Sequence, residues 1–174
     1  MYCNCLYSFL CIVLLLCSSC SSNEPREPVK QAAVLVETIA LTEVNRQLME
    51  KDKDIIETLM HRKNWEMNYH PEGYYSMVIK EGKGGEIQNN STVELLRKIQ
   101  LLDGTVCYEE QKHSFNVNRT EEIAGLHQAL LGRRGGDNLR FIFLPHMAYG
   151  LLGDRDKIPL RASLIFEIEI LNVN

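Results

Sequence analysis

The sequence predicts an α+β fold in which an antiparallel sheet wraps one short helix, with a helical segment in front of it. Three observations predict it. Leu164, Phe166, Ile168 and Ile170 alternate with Glu167 and Glu169, preceded by Ser163, in the period of two of a half-buried strand. From Trp65 onward, aromatic and β-branched residues are broken by Pro71, Gly73, Gly82, Gly84 and Gly85, as strands joined by turns are. Between Thr120 and Gly132 stands a single short helical pattern, and a sheet with one such partner buries its apolar face on it.

The chain opens on MYCNCLYSFLCIVLLLCSSC, whose apolar run from Leu6 to Cys17 is short of the about 20 residues of a membrane span but suits the core of a secretory signal. Its end, Cys17-Ser18-Ser19-Cys20, resembles the bacterial lipobox, in which the cysteine is acylated and becomes the new N-terminus. Residues 1–19 are therefore expected to be a lipoprotein signal and Cys20 a lipid attachment. Residues 20–28, with Pro25, Pro28 and mixed charge but no large apolar side chain, read as a tether. Over residues 29–64, Ile39, Leu48, Ile55, Ile56 and Leu59 recur at helical spacing among charged residues, with a break expected near Asp52–Asp54. No sustained heptad appears, so this segment reads first as a stalk or packing helix, with a dimerisation arm as the other reading.

Residues 65–174 hold the sheet. A strand over Thr92–Leu102 runs into Asp103-Gly104, a hairpin signal. For the short helix, Thr120 is the expected cap, Glu121 and Glu122 suit its positive end, and Gly132 closes it in a left-handed conformation. Ile123, Leu126 and Leu130 then share its buried face. The stretch Leu139–Leu144 and the strand after Ser163 hold a long loop between them.

A chain of 174 residues, 45% apolar and 24% charged, with net charge -4, fits one globular domain plus appendages and offers no basic surface for nucleic acid. Of its 6 cysteines only Cys107 lies beyond the first twenty residues, so the folded part has no disulfide framework. The histidines fall in no metal-ligand spacing, and Gly82-Lys83-Gly84-Gly85 lacks the spacing of a phosphate loop. Neither a nucleophile elbow nor a paired-carboxylate motif appears, so no metal or cofactor is expected, and any chemistry must need no nucleophile.

One set of residues carries a resemblance. Pro145, Ala148-Tyr149-Gly150, Gly153, Ile158-Pro159, Ala162 and the run Leu164–Glu169 resemble the C-terminal signature of FKBP-type peptidyl-prolyl isomerases. Ile123-Ala124-Gly125-Leu126 is similar to the family's Ile-x-Gly-Trp, and Gly136 to its turn glycine. The likeness covers about residues 72–171. The front of the chain, a signal with a cysteine, then a helix, then RKNWEMN, resembles the gliding-motility-type lipoprotein isomerases of Bacteroidetes.

The resemblance implies an FKBP-like fold and an isomerase, a reaction that suits a site without a nucleophile. Amide rotation is opposed by about 18–20 kcal/mol, and X-Pro is the bond for which both isomers are accessible. By resemblance, Tyr149 donates its hydroxyl to a substrate carbonyl, Ile123 and Leu126 floor the pocket, and Phe166 and Ile158 line its wall. The same apolar residues also read as core, and both readings hold together for Ile123 and Phe166. Leu126 stands where the family has tryptophan, Arg97 for a strand tyrosine, Cys107 for phenylalanine, Tyr108 for aspartate and His113 for another aromatic. These changes imply weaker catalysis, and the alternative is a non-catalytic FKBP-like chaperone or binding module that holds chains without turnover, or a motility or assembly accessory. The implied partners are proline-containing polypeptides and, through Cys20, a membrane. The implied place is the cell envelope, at the outer membrane facing the periplasm or the surface.

Overall fold

The structure, a computed structural model, describes residues 28–174. The signal segment, Cys20 and the tether through Glu27 lie outside the described residues. The helix α1 runs unbroken over Pro28–Lys63, so the break expected at Asp52–Asp54 does not occur. Its charges are accommodated on the helix: Lys51 and Asp54 face solvent, Asp52 receives Arg161 at 2.7 Å, and the Lys53 ammonium lies over the Tyr69 ring. Asn64, with φ 54°, ends the helix in the left-handed region. Among the described residues no helix is long and apolar enough to cross a membrane.

The compact unit that carries the sheet begins at Val44, inside α1. Its strands are β1 Asn68–His70, β2 Tyr74–Lys80, β3 Thr92–Leu101, β4 Val106–Asn116, β5 Asn138–Phe143 and β6 Leu164–Val173. They form one antiparallel sheet in the order β1-β2-β5-β6-β3-β4. β6, the strand with the clearest alternation, lies between β5 and β3, as its apolar content requires.

The sheet is covered on both faces. On one, Leu164, Phe166, Ile168 and Ile170 of β6 join Val93, Leu95 and Ile99 of β3 around the helix α2 (Ala124–Leu130), which buries Leu126, Ala129 and Leu130. On the other, Tyr75, Ile142, Leu144 and Ile165 pack against Ile56 and Leu59 of α1. Ile165, at an odd position of β6, is buried for this reason although its neighbours Glu167 and Glu169 are not. Of the apolar positions read along α1, Ile56 and Leu59 are buried while Ile39 and Ile55 remain exposed.

The helix α2 does not start as predicted. Ile123 occupies the cap position and no side chain caps the helix, while the Thr120 hydroxyl accepts the Asn116 N–H at 3.0 Å. The reason is Glu122, whose carboxylate takes the Ile123 N–H at 2.9 Å and supplies negative charge at the helix start. Gly132 is left-handed as expected, at φ +76°, but it does not cap the helix: the chain is already extended at Leu131, and the Gly132 N–H goes to the Ile87 carbonyl in the turn that follows. Gly125 is required by contact: a Cβ there would lie 2.5 Å from the Phe143 ring and 2.7 Å from the Met147 carbonyl oxygen. Its absence lets α2 seat against β5 and the loop that follows it.

Candidate functional site

Strand β3 places its odd residues, Val93, Leu95, Arg97 and Ile99, on the face toward α2. Arg97 is thus a guanidinium in an otherwise apolar row. β4 carries His113 opposite Leu95, also toward α2. Both meet Glu122: Arg97 Nη1 donates to Glu122 Oε2 at 2.8 Å, and His113 Nε2 lies 2.6 Å from the same oxygen. The Arg97 and Glu122 side chains are 12% and 7% exposed, so the pair is nearly desolvated.

Register shifts around Ile99 mark a bulge in the β3–β4 pairing. The extra residue lets neighbours on one strand reach the same side: Cys107 is buried in the core and Tyr108 packs against it. The Cys107 thiol has its pKa pushed up, chiefly by burial. Tyr108 extends to the long loop and donates its hydroxyl to Asp154 Oδ2. That bond, ahead of burial and the nearby acidic charges, pushes the Tyr108 pKa up to about 12.

The loop between β5 and β6 begins with a 3-10 turn, Pro145–Met147, and is folded around Asp154. Asp154 Oδ1 accepts the backbone N–H groups of Asp156 at 2.9 Å and Ile158 at 2.8 Å. Burial alone would raise the Asp154 pKa, but the Tyr108 hydroxyl and backbone N–H groups outweigh it and hold it below the ordinary carboxylate value. Gly153 makes the turn possible, since φ is +64° and a Cβ would stand 2.1 Å from the Ile158 carbonyl oxygen. The result tucks Ile158 into the core and carries Tyr149 over the apolar cluster.

Tyr149 is half-buried, and no hydrogen bond among the described residues uses its hydroxyl. Its pKa is raised, first by burial, with Arg97 opposing and Glu122, Asp154 and Cys107 adding to the rise. The phenol therefore stays protonated at neutral pH and is a donor with no internal acceptor. Beneath it, Phe166, Leu126, Ile158, Ile123 and Cys107 share one cluster, and Phe166 meets Phe143 edge-on at 5.1 Å.

The structure thus brings Tyr149, Phe166, Ile123, Leu126 and Ile158 together, with Cys107 and Tyr108 beside them, and joins Arg97 and His113 through Glu122. Two of these connections were missed in the sequence. Glu122 reads there as a helix-end acid, although an arginine in the inward row of β3 calls for a buried counter-charge. Asp154 gave no signal, because its partners come from β4 and from backbone. Among the described residues no group of three His, Cys, Asp or Glu side chains is placed to hold a metal ion.

The sequence profile of FKBP-type peptidyl-prolyl cis-trans isomerases matches residues 83–171, half of the chain. The chain belongs to this family. Among similar FKBP proteins, peptidyl-prolyl cis-trans isomerase FKBP10 of Bos taurus is 37% identical over 76 residues, covering 41% of this chain and 13% of its own. FK506-binding protein 2B of Rhizopus delemar is 31% identical over 94 residues, 54% of this chain and 44% of its own. A protein of Rattus norvegicus named inactive peptidyl-prolyl cis-trans isomerase FKBP6 is 28% identical over 105 residues, 58% of this chain. The chain spans only 32% of that relative's length. The crystal structure of a peptidyl-prolyl cis-trans isomerase from Pseudomonas syringae pv. tomato superposes with TM-score 0.58 at 25% identity, covering 68% of this chain and 90% of that one. The FKBP fold, with the sheet wrapped on α2 and α1 before it, is thereby shown.

Proposed function

We propose that this protein is a peptidyl-prolyl cis-trans isomerase that acts on exported polypeptides at the cell envelope, held to the outer membrane by acylated Cys20 and facing the periplasm or the cell surface. The observation that carries the reading is the Tyr149 hydroxyl, a protonated donor without an internal acceptor, set over the apolar residues Phe166, Leu126 and Ile158. A proline ring admitted to this cluster, whose residues are buried in the free protein, and a carbonyl held by Tyr149 would fix one side of the X-Pro bond while the other turns. The twisted amide loses its conjugation and with it charge separation, so a dry apolar wall disfavours the planar form relative to it. Each group acts by position and polarity, and no bond is made to the protein.

The location rests on the lipobox-like Cys17-Ser18-Ser19-Cys20 after the apolar run. A kinship with the gliding-motility-type lipoprotein isomerases of Bacteroidetes is supported by that signal, the helix after it and the RKNWEMN stretch at its end.

The test is the rate of cis-to-trans conversion of short proline peptides with the whole chain. Acceleration that falls in Tyr149→Phe supports the reading; peptide binding without acceleration would make the domain a holding module instead. For the anchor, Cys20→Ala should release the protein to the soluble fraction or block its processing. Mature protein recovered free of membranes with Cys20 unmodified would reject it.

A further inference from the structure

The Arg97–Glu122–His113 cluster has no part in the step just described, yet it stands at the wall of the same site. Arg97 shares its strand face with Leu95 and Ile99, which are fully buried, and is paired across the sheet with Ile168, two residues from Phe166, while Glu122 directly precedes Ile123. Its Nη1 is committed to Glu122 at 2.8 Å. Its Nε is buried with no acceptor. That atom is closed to solvent and to any ligand, whereas Nη2, which takes no partner among the described residues and is not fully buried, is the donor open to an acceptor. Glu122 offers no more: it already takes Arg97, His113 and the Ile123 N–H.

An apolar side chain laid against this wall would strip remaining water from a guanidinium and return nothing to it. A side chain ending in a carbonyl or carboxylate oxygen would pair with it, and hydrogen bonds to charged donors are the strong kind. Arg97 is suited to this, because Glu122 holds its planar fork in one orientation before any ligand arrives.

We propose that Arg97, oriented by Glu122 and His113, is a specificity-determining residue that selects prolyl bonds preceded by an oxygen-bearing side chain, Gln, Glu, Asn or Asp, over those preceded by an apolar one. This rests on the prolyl-isomerase reading of the site. Glu122 and His113 are positioning residues within it. The Arg97–Glu122 pair is close to neutral as a unit, so the oxygen acceptor is the recognised chemistry. Comparing carboxylate with carboxamide peptides tells whether charge adds to it.

The experiment uses the whole chain and tetrapeptides that differ only in the residue before proline: Gln, Glu, Asn, Asp, Leu or Ala. Both kcat/KM for isomerisation and the peptide Kd are measured. The oxygen-bearing set is expected to exceed Leu by about tenfold in each, the size of one charge-assisted hydrogen bond. In the double variant Arg97→Met, Glu122→Leu, that preference is expected to vanish or reverse toward Leu. Leu handled as well as Gln by the native protein overturns the proposal, as does an unchanged preference in a folded double variant. If no peptide is turned over but Gln and Glu peptides bind about tenfold tighter than Leu, the isomerase reading fails and the selectivity stands. If no peptide binds, or all bind alike, the selectivity fails. Should the double variant not fold, the native comparison of Gln with Leu decides alone.

Discussion

Replacing Glu122 by Leu separates a buried ion pair from a surface one. The carboxylate is 7% exposed and receives Arg97 at 2.8 Å, with His113 at 2.6 Å. Removing it leaves a guanidinium, itself 12% exposed, with neither Nη1 nor Nε paired. Breaking a buried pair on one side costs about 3–5 kcal/mol, and about 3 is expected here because Arg97 keeps some contact with water. Arg97→Met alone should cost about 1–2 kcal/mol, since Glu122 retains His113 and the Ile123 N–H. The double variant should return to within about 1 kcal/mol of the parent, as apolar replacements of buried pairs do. Urea unfolding of the whole chain, with an unchanged m value, measures each, and the cycle should give a coupling of about 3–5 kcal/mol. Additivity of the two single effects within about 0.5 kcal/mol would show that the groups are independently solvated and refute the reasoning.

Three further outcomes follow from the site. Tyr149→Phe should keep the fold and lose about 0.5–1.5 kcal/mol of transition-state stabilisation, read as kcat/KM, because only an unengaged hydroxyl is removed; Phe166→Ala should lose about 3–5 kcal/mol of stability from a fully buried ring. Equal unfolding by both would place Tyr149 in the core. Leu126→Trp, at a fully buried position, should lower the urea midpoint by an overpacking cost of about 1–3 kcal/mol, and unchanged stability would mean that space for an indole lies open above α2. Asp154 titrates below its ordinary 3.8 in the folded protein, so its stabilisation is present above that value and lost as the pH falls through the folded one. Asp154→Asn should flatten that acid limb in pH-dependent unfolding; an unaltered limb would show that the Tyr108–Asp154 clamp does not contribute to it.

The sequence by itself determined the parts that depend on local period and local backbone freedom. β6 is legible because alternation along one strand reports burial whatever its neighbours are, and the β3–β4 hairpin because Asp103-Gly104 suits its turn. Phe166 is legible as core for the same reason and Leu126 by helical period, whereas the grouping of both with Ile158 and Tyr149 was implied only by the family signature. The helix start was not: Thr120 is a sound cap by type, but the position went to Ile123 because Glu122, drawn to Arg97 and His113, stands in front of the helix. The break expected in α1 was a misreading of the same kind, since the charges at Asp52 and Lys53 are answered by Arg161 and Tyr69, far along the chain. Only the tertiary structure decided that an arginine in the inward row of β3, a histidine on β4 and a glutamate before α2 form one buried cluster beside Tyr149. Residue type and spacing record what a side chain prefers, whereas a buried charge takes its meaning from the partner that the fold brings to it.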